Sequence, residues 1–165
     1  MDKNKELFKK VEARLHNYKY LQIQIDNLEL DIEEIKNDYR GCGSISYDER
    51  TGSTYNISRT IENEIIDRER RLSKLLKTKF EKETEKKKIE NSLTCLDIIE
   101  TDFFNLFYNS KSKNSMKYIA MKMHMDRSYL YIFREKIVYK IMGMLYPFYN
   151  DLPLFNEWKQ HFTDK

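Results

Sequence analysis

The chain has 165 residues, of which 40% are hydrophobic and 35% are charged, with only 4 Gly and 2 Pro. This length allows one or two small domains, and so few turn-forming residues favour helices and disfavour an all-β fold. The formal net charge of +3 is too even a balance to diagnose nucleic-acid binding, so only the distribution of charge along the chain is informative.

Cysteine and histidine spacing argues against a metal site. Cys42 and Cys95 lie far apart, without a Cys-x-x-Cys pair or paired histidines, so neither a zinc site nor a disulfide framework is indicated and no cofactor is expected. The sequence has no glycine-rich phosphate loop and no nucleophile–base arrangement, so we expect no enzyme. A charged N-terminus and the lack of an apolar run of ~18 residues predict a cytoplasmic protein without a membrane span.

Residues 1–91 are predicted to form a long antiparallel helical hairpin of the coiled-coil type. The first helix is expected over residues 3–39, because its apolar residues recur with alternating spacings of three and four. These residues are Tyr18, Leu21, Ile25, Leu28, Ile32, Ile35 and Tyr39. A second helix opens near Ser58 and repeats the spacing at Ile61, Ile65, Leu72 and Leu75. Residues 77–91 are mostly charged and are interpreted as a solvated connector, with contact to DNA phosphates or a partner as the alternative.

Between the two helices, residues 40–57 are predicted to be a tip loop at which the chain reverses. Gly41, Gly43 and Gly52 stand there among serine and threonine residues, which is turn chemistry. A small β-hairpin and a floppy loop both fit this segment. One helix pair exposes much of its apolar stripe, so we expect a homodimer through the hairpin. Packing of the hairpin onto the C-terminal domain of the same chain is the alternative.

Residues 92–165 are predicted to form a C-terminal domain that contains a helix-turn-helix motif. A helix over residues 93–108 is followed by a polar loop and by the motif itself at 115–136. Ser115 and Asp126 suit the N-caps of its two helices, and apolar residues lie where the helices must touch, at Ile119, Met123, Met125, Leu130 and Phe133. His124 lies at the turn, where a positive φ is often needed. The second helix is expected to end near Gly143, before an aromatic tail whose residues 152–162 suit a short helix that packs on the core or contacts another protein.

Positive charge is concentrated on this motif. Between residues 111 and 140 there are eight basic and two acidic residues, a net +6 that is twice the charge of the whole chain. The second helix is therefore predicted to enter the DNA major groove and the preceding lysines to contact phosphates. The predicted DNA-binding residues are Lys113, Lys117, Lys122, Arg127, Ser128, Tyr129, Tyr131 and Arg134. An ordinary helical hairpin without DNA binding is the alternative.

The segment FFNLFY, the polar loop after it and SMKYIAMKMHMDRSYLYIFREKIVYKI resemble the phage transcriptional regulators of the ArpU and RinA type. The C-terminal unit of that family looks like the region-four helix-turn-helix of sigma factors. The long helical region with its glycine-bearing interruption is a second, less specific similarity. The resemblance implies regulation of phage or prophage genes by promoter binding, with RNA polymerase as a further partner.

Two other functions use the same parts of the sequence. A DNA-packaging or partition protein, similar to a small terminase, would bind DNA through the motif and assemble through the coil. An interaction adaptor would use the coil and the aromatic tail without binding DNA.

Overall fold

A computed structural model of the protein describes residues 3–38 and 60–149. These residues form helices and no strand, so the prediction of an all-α fold is confirmed. The helices are α1 Lys3–Asn37, α2 Thr60–Leu93, α3 Ile98–Phe107, α4 Met116–Met123 and α5 Arg127–Leu145, followed by a 3-10 turn at Pro147–Tyr149. The predicted tip loop at 40–57, with its β-hairpin alternative, and the tail segment at 152–162 lie outside the described residues. None of the described helices combines the length and apolar character that a bilayer crossing requires.

The chain divides into two compact units, and both long helices contribute to each. A two-helix unit consists of Ile23–Glu83, and a C-terminal unit combines Met1–Gln22 with Thr84–Lys165. This grouping differs from the predicted division between residues 91 and 92. The physical reason is that Val11 and Leu15 of α1 are fully buried in the same core as α3, α4 and α5. The first turns of α1 therefore pack onto the C-terminal domain of the same chain, which was the alternative to a homodimer through the hairpin.

In the two-helix unit, the apolar heptad residues of α1 are buried more fully than those of α2. Ile25 and Ile32 are both 5% exposed. Two cations of α2 contact α1: Arg68 donates to the Ile35 carbonyl at 2.9 Å, and the Lys79 ammonium lies 2.7 Å from the Glu29 carboxylate. The apolar stripe predicted on α2 is only partly buried: Leu72 and Leu75 are half-buried, whereas Ile65 is exposed.

Helix α3 is shorter than the helix predicted over residues 93–108, because a strong capping box starts it at Ile98. The Glu100 N–H donates to the Asp97 carboxylate at 2.7 Å, and the Asp97 N–H donates to the Glu100 carboxylate at 3.0 Å. Leu93 ends α2 instead of beginning α3. The capping geometry buries Glu100 and leaves the neighbouring Ile99 exposed.

The core of the C-terminal unit forms where α3, α4 and α5 meet. Phe103 of α3 meets Phe133 of α5 edge-to-face, with ring centroids 5.6 Å apart. Ile119 of α4 and Leu130 of α5 are fully buried, as their spacing predicts. Burial of side chains of this size stabilises the fold by about 1.5–3 kcal/mol each.

Helix α5 runs past the predicted stop at Gly143. Gly143 and Met142 are both buried, so packing continues the helix through this glycine. The helix ends two residues later at Leu145. Pro147 explains this end, because proline disfavours the helical conformation in the residue before it, and Tyr146 has φ −133° and ψ 72°.

Candidate nucleic-acid interface

Helices α4 and α5 are joined by a three-residue turn whose local chemistry follows from the sequence. The Ser115 hydroxyl caps α4 by accepting from the Tyr118 N–H at 3.2 Å. His124 has φ 54° and ψ 40°, the left-handed conformation predicted for the turn. The Met125 N–H then donates to the Ala120 carbonyl at 3.0 Å, which is the six-to-one bond of a Schellman ending.

Asp126 caps α5 and keeps its first turn closed. Its carboxylate accepts from the backbone N–H groups of Ser128 at 2.7 Å and Tyr129 at 3.3 Å. These hydrogen bonds, that of Ser128 first, lower the pKa of the Asp126 carboxyl below its usual value. The backbone amides at this end of α5 are thus occupied by the protein's own carboxylate. Any phosphate contact here must come mainly from side chains.

Seven of the eight predicted DNA-binding residues are exposed around this turn. Helix α4 carries its lysines on the solvent side, where the Lys122 ammonium lies 5.9 Å from the Tyr118 ring centroid. On α5, Tyr129 stacks on Phe133 with centroids 5.9 Å apart and remains 50% exposed. The seven exposed residues are Lys113, Lys117, Lys122, Arg127, Ser128, Tyr129 and Tyr131.

Arg134 does not belong to this exposed set. Its side chain is only 25% exposed, and its Nε lies 3.4 Å from the Glu12 carboxylate of α1. The Tyr108 hydroxyl donates to the same carboxylate oxygen at 3.4 Å. The prediction that Arg134 points outward is therefore wrong, because α1 packs against this part of α5.

Two further cations of the motif region are also paired inside the protein. The Lys140 ammonium lies 2.6 Å from the Glu100 carboxylate, and the Lys136 ammonium lies 3.6 Å from its other oxygen. Five of the eight basic residues between 111 and 140 are left exposed, and none forms an ion pair with a described residue. We call these five the basic surface: Lys111, Lys113, Lys117, Lys122 and Arg127.

The loop that carries Lys111 and Lys113 is held in place by polar contacts. The Asn114 side-chain amide donates to the Leu106 carbonyl at 2.8 Å and to the Ser110 hydroxyl at 3.2 Å. The Lys19 ammonium of α1 donates to the Ser110 carbonyl at 3.1 Å. These contacts fix the loop between α3 and α1, so its lysines are presented from a positioned backbone.

Two exposed apolar residues lie beside the predicted set and were missed by sequence reasoning. Ile132 is 48% exposed and lies one helical turn after Ser128, and Met121 is 71% exposed and lies one turn after Lys117. An apolar side chain at such a position can contact the methyl group of thymine. The i, i+4 spacing of each residue from an exposed polar residue was the available signal.

Metal-ligand clusters and cysteine reactivity can be assessed for the described residues. No group of three His, Cys, Asp or Glu side chains within 3–38 and 60–149 is placed to hold a metal ion. The Cys95 thiol donates to the Ser92 carbonyl at 2.9 Å, and burial raises its pKa, which keeps it protonated at neutral pH.

No known protein family, curated protein or solved structure matches the chain. The interpretation of the basic surface therefore depends on its own geometry and charge.

Proposed function

We propose that the protein is a DNA-binding transcriptional regulator that places the first two turns of α5 in the major groove. The observation that supports this most strongly is the selective exposure of charge. The five cations of the basic surface flank one tight helix–turn–helix junction, whereas the other three cations of the region pair with carboxylates of α1 and α3. Exposed cations on such a junction provide the phosphate attraction that dominates DNA affinity.

The residues of the proposed interface take different roles. Arg127, at the start of α5, is placed to pair with guanine or a flanking phosphate. Ser128, Tyr129 and Tyr131 contact base edges or phosphates from the same two turns. Lys113, Lys117 and Lys122 would anchor phosphates from the loop and α4, which orients the reading helix without specifying sequence.

The wider biological setting is also part of this proposal. The resemblance of residues 103–141 to regulators of the ArpU and RinA type supports promoter DNA of phage or prophage genes as the target, and RNA polymerase as a further partner. A homodimer through the helical hairpin would present two basic surfaces to repeated or inverted half-sites.

Selection of duplexes from a random pool, followed by anisotropy titrations over a salt series, tests the proposal. We expect one enriched sequence and an affinity that falls steeply with salt. Lys117→Ala should weaken binding to every duplex and reduce the salt slope by about 1. Lys10→Ala is the matched control, since Lys10 is an exposed lysine of α1 that does not belong to the basic surface. No enrichment, with equal binding by both variants, would contradict the proposal.

An interaction adaptor is the second candidate, because exposed apolar residues such as Met121 and Ile132 also suit a protein partner. A correctly folded protein that binds no duplex at low salt would favour this function.

A further inference from the structure

Helix α2 carries an exposed apolar strip in the two-helix unit. Ile66, Leu76 and Phe80 are 55%, 47% and 69% exposed. Ile66 and Phe80 are two heptads apart, Ser73 lies midway between them, and Leu76 follows Ser73 by three residues. Heptad and three-residue spacings place these four residues along one line on the helix.

The strip is distinct from the face of α2 that meets α1. That face contains Leu72 and Leu75, which are half-buried, and Arg68 and Lys79, which contact α1 through the Ile35 carbonyl and Glu29. Contacts among residues 3–38 and 60–149 therefore leave the strip exposed.

The charge pattern of α2 is complementary to itself when two copies run in opposite directions. Residues 62–69 carry four acidic side chains, Glu62, Glu64, Asp67 and Glu69, against one basic side chain, Arg68. Residues 70–79 carry five basic side chains and no acidic one: Arg70, Arg71, Lys74, Lys77 and Lys79. The change of sign falls near the centre of the strip. In an antiparallel pair, the acidic part of each copy would lie opposite the basic part of the other.

Helix α1 has an exposed apolar pair, Ile23 and Leu30, but its charges do not favour pairing with a second α1. Its polar residues nearby are almost all acidic: Asp26, Glu29, Asp31, Glu33 and Glu34. Two copies of this face would repel each other. The charge pattern thus favours α2 as the surface that a second copy covers.

We propose that two copies of the protein pair antiparallel through α2, with Ser73 on the two-fold axis. In this register, Ile66 packs against Phe80 of the second copy and Glu69 lies opposite its Lys77. The two-fold axis repeats both contacts, which gives a closed, symmetric pair. This pairing specifies the surface of the homodimer in the proposed function and does not depend on the DNA contact.

Disulfide cross-linking of single-cysteine variants tests the register directly. In a Cys42→Ser, Cys95→Ser background, we expect Ser73→Cys to cross-link on oxidation, because residues on the axis lie within disulfide reach. Phe80→Cys should not cross-link to itself, since its two copies would be about 21 Å apart along the helices. A mixture of Ile66→Cys and Phe80→Cys should form the mixed dimer. Cross-linking of Phe80→Cys alone, or none with Ser73→Cys, would overturn this register.

Dimer dissociation constants test the surface itself. By sedimentation equilibrium, Phe80→Asp should weaken the dimer about 100-fold, because the substitution removes an apolar contact in each copy. Ile23→Asp, on α1, is the matched control and should change the constant little. Lys77→Glu and Glu69→Lys should each weaken the dimer. The double variant should recover the dissociation constant of the unchanged protein. Circular dichroism of each variant separates loss of pairing from loss of folding.

The outcomes also separate this inference from the proposed DNA binding. A monomer at micromolar concentration that still binds DNA overturns the pairing and leaves the DNA contact intact. A dimer broken by Ile23→Asp but not by Phe80→Asp overturns the α2 surface. Cross-linking through Ser73→Cys in a protein without DNA affinity supports the pairing and contradicts only the DNA contact.

Discussion

The two halves of helix α5 both carry cations, but these cations lie in opposite surroundings. In the first half, Arg127 is exposed beside the turn. In the second half, Arg134 pairs with Glu12 of α1, and Lys136 and Lys140 pair with Glu100 of α3. The first half can therefore offer positive charge to a partner, whereas the second half uses its positive charge to hold α1, α3 and α5 together.

This contrast shows why local net charge overstates a binding surface. A count along the sequence assigns all eight basic residues between 111 and 140 to one basic patch. The carboxylates that neutralise three of them come from α1 and α3, outside that stretch. The difference between the two halves of α5 thus depends on tertiary packing.

The largest effect on stability is expected from Glu100→Ala, because Glu100 pairs with two lysines in the second half of α5. Glu100 has a 1% exposed side chain, bonds to Asp97 and lies near two lysines, so its loss removes a capping box and two ion pairs. We expect a loss of about 2–4 kcal/mol in the free energy of unfolding, measured in urea. Glu135→Ala, at an exposed site on α5, should change it by less than about 0.5 kcal/mol. Equal effects of the two changes would contradict the structural role of Glu100.

In the exposed half, Arg127→Ala should have the largest effect on DNA binding. We expect a loss of about 1–3 kcal/mol in binding free energy and a relaxed base preference at one or two positions. Arg134→Ala is the matched control, because the paired arginine should contribute little to binding. Anisotropy titrations with the selected duplex and its single-base variants measure both the binding free energy and the base preference. Unchanged affinity and preference in Arg127→Ala would remove α5 as the reading helix.

A smaller effect on the free energy of unfolding is expected at the α4–α5 turn, which precedes the first half of α5. His124 is the one described residue other than glycine with a positive φ, and glycine adopts this conformation without steric cost. His124→Gly should raise the free energy of unfolding by about 0.5–1 kcal/mol. His124→Val should lower it, because a β-branched residue is strongly disfavoured there. A stabilised valine variant in thermal unfolding would contradict the left-handed turn.

The smallest expected effect is the pH dependence of the cap on α5. The pKa of Asp126 is lower in the folded protein than in the unfolded chain, where it is near 3.8. The stabilisation by Asp126 is therefore present above that value and lost as pH falls through the folded pKa. In thermal unfolding below about pH 4, Asp126→Asn should lose less stability than the unchanged protein. An equal loss of stability with falling pH in both proteins would contradict the lowered pKa of Asp126.

The parts of the site that the sequence predicts are those governed by local chemistry. Ser115 and Asp126 cap their helices, and His124 adopts the left-handed turn, because each outcome depends on a few neighbouring residues. The all-helical fold follows similarly from periodic apolar residues and scarce glycine and proline.

The wrong expectations share a tertiary cause. Arg134 is covered by α1, a helix more than one hundred residues earlier in the chain. Gly143 continues a helix because its surroundings are packed. In each case, contacts with residues distant in sequence override the local pattern.

The salt dependence of DNA binding in two matched double variants tests the contrast within the motif most directly. Lys117→Gln with Lys122→Gln removes two exposed charges, and Arg134→Gln with Lys136→Gln removes two paired ones. We expect the first variant to reduce the slope of log affinity against log salt by about 2 and the second variant to leave it unchanged. Equal reductions in both variants, with both folded by circular dichroism, would contradict the division of the basic residues into an exposed and a paired set.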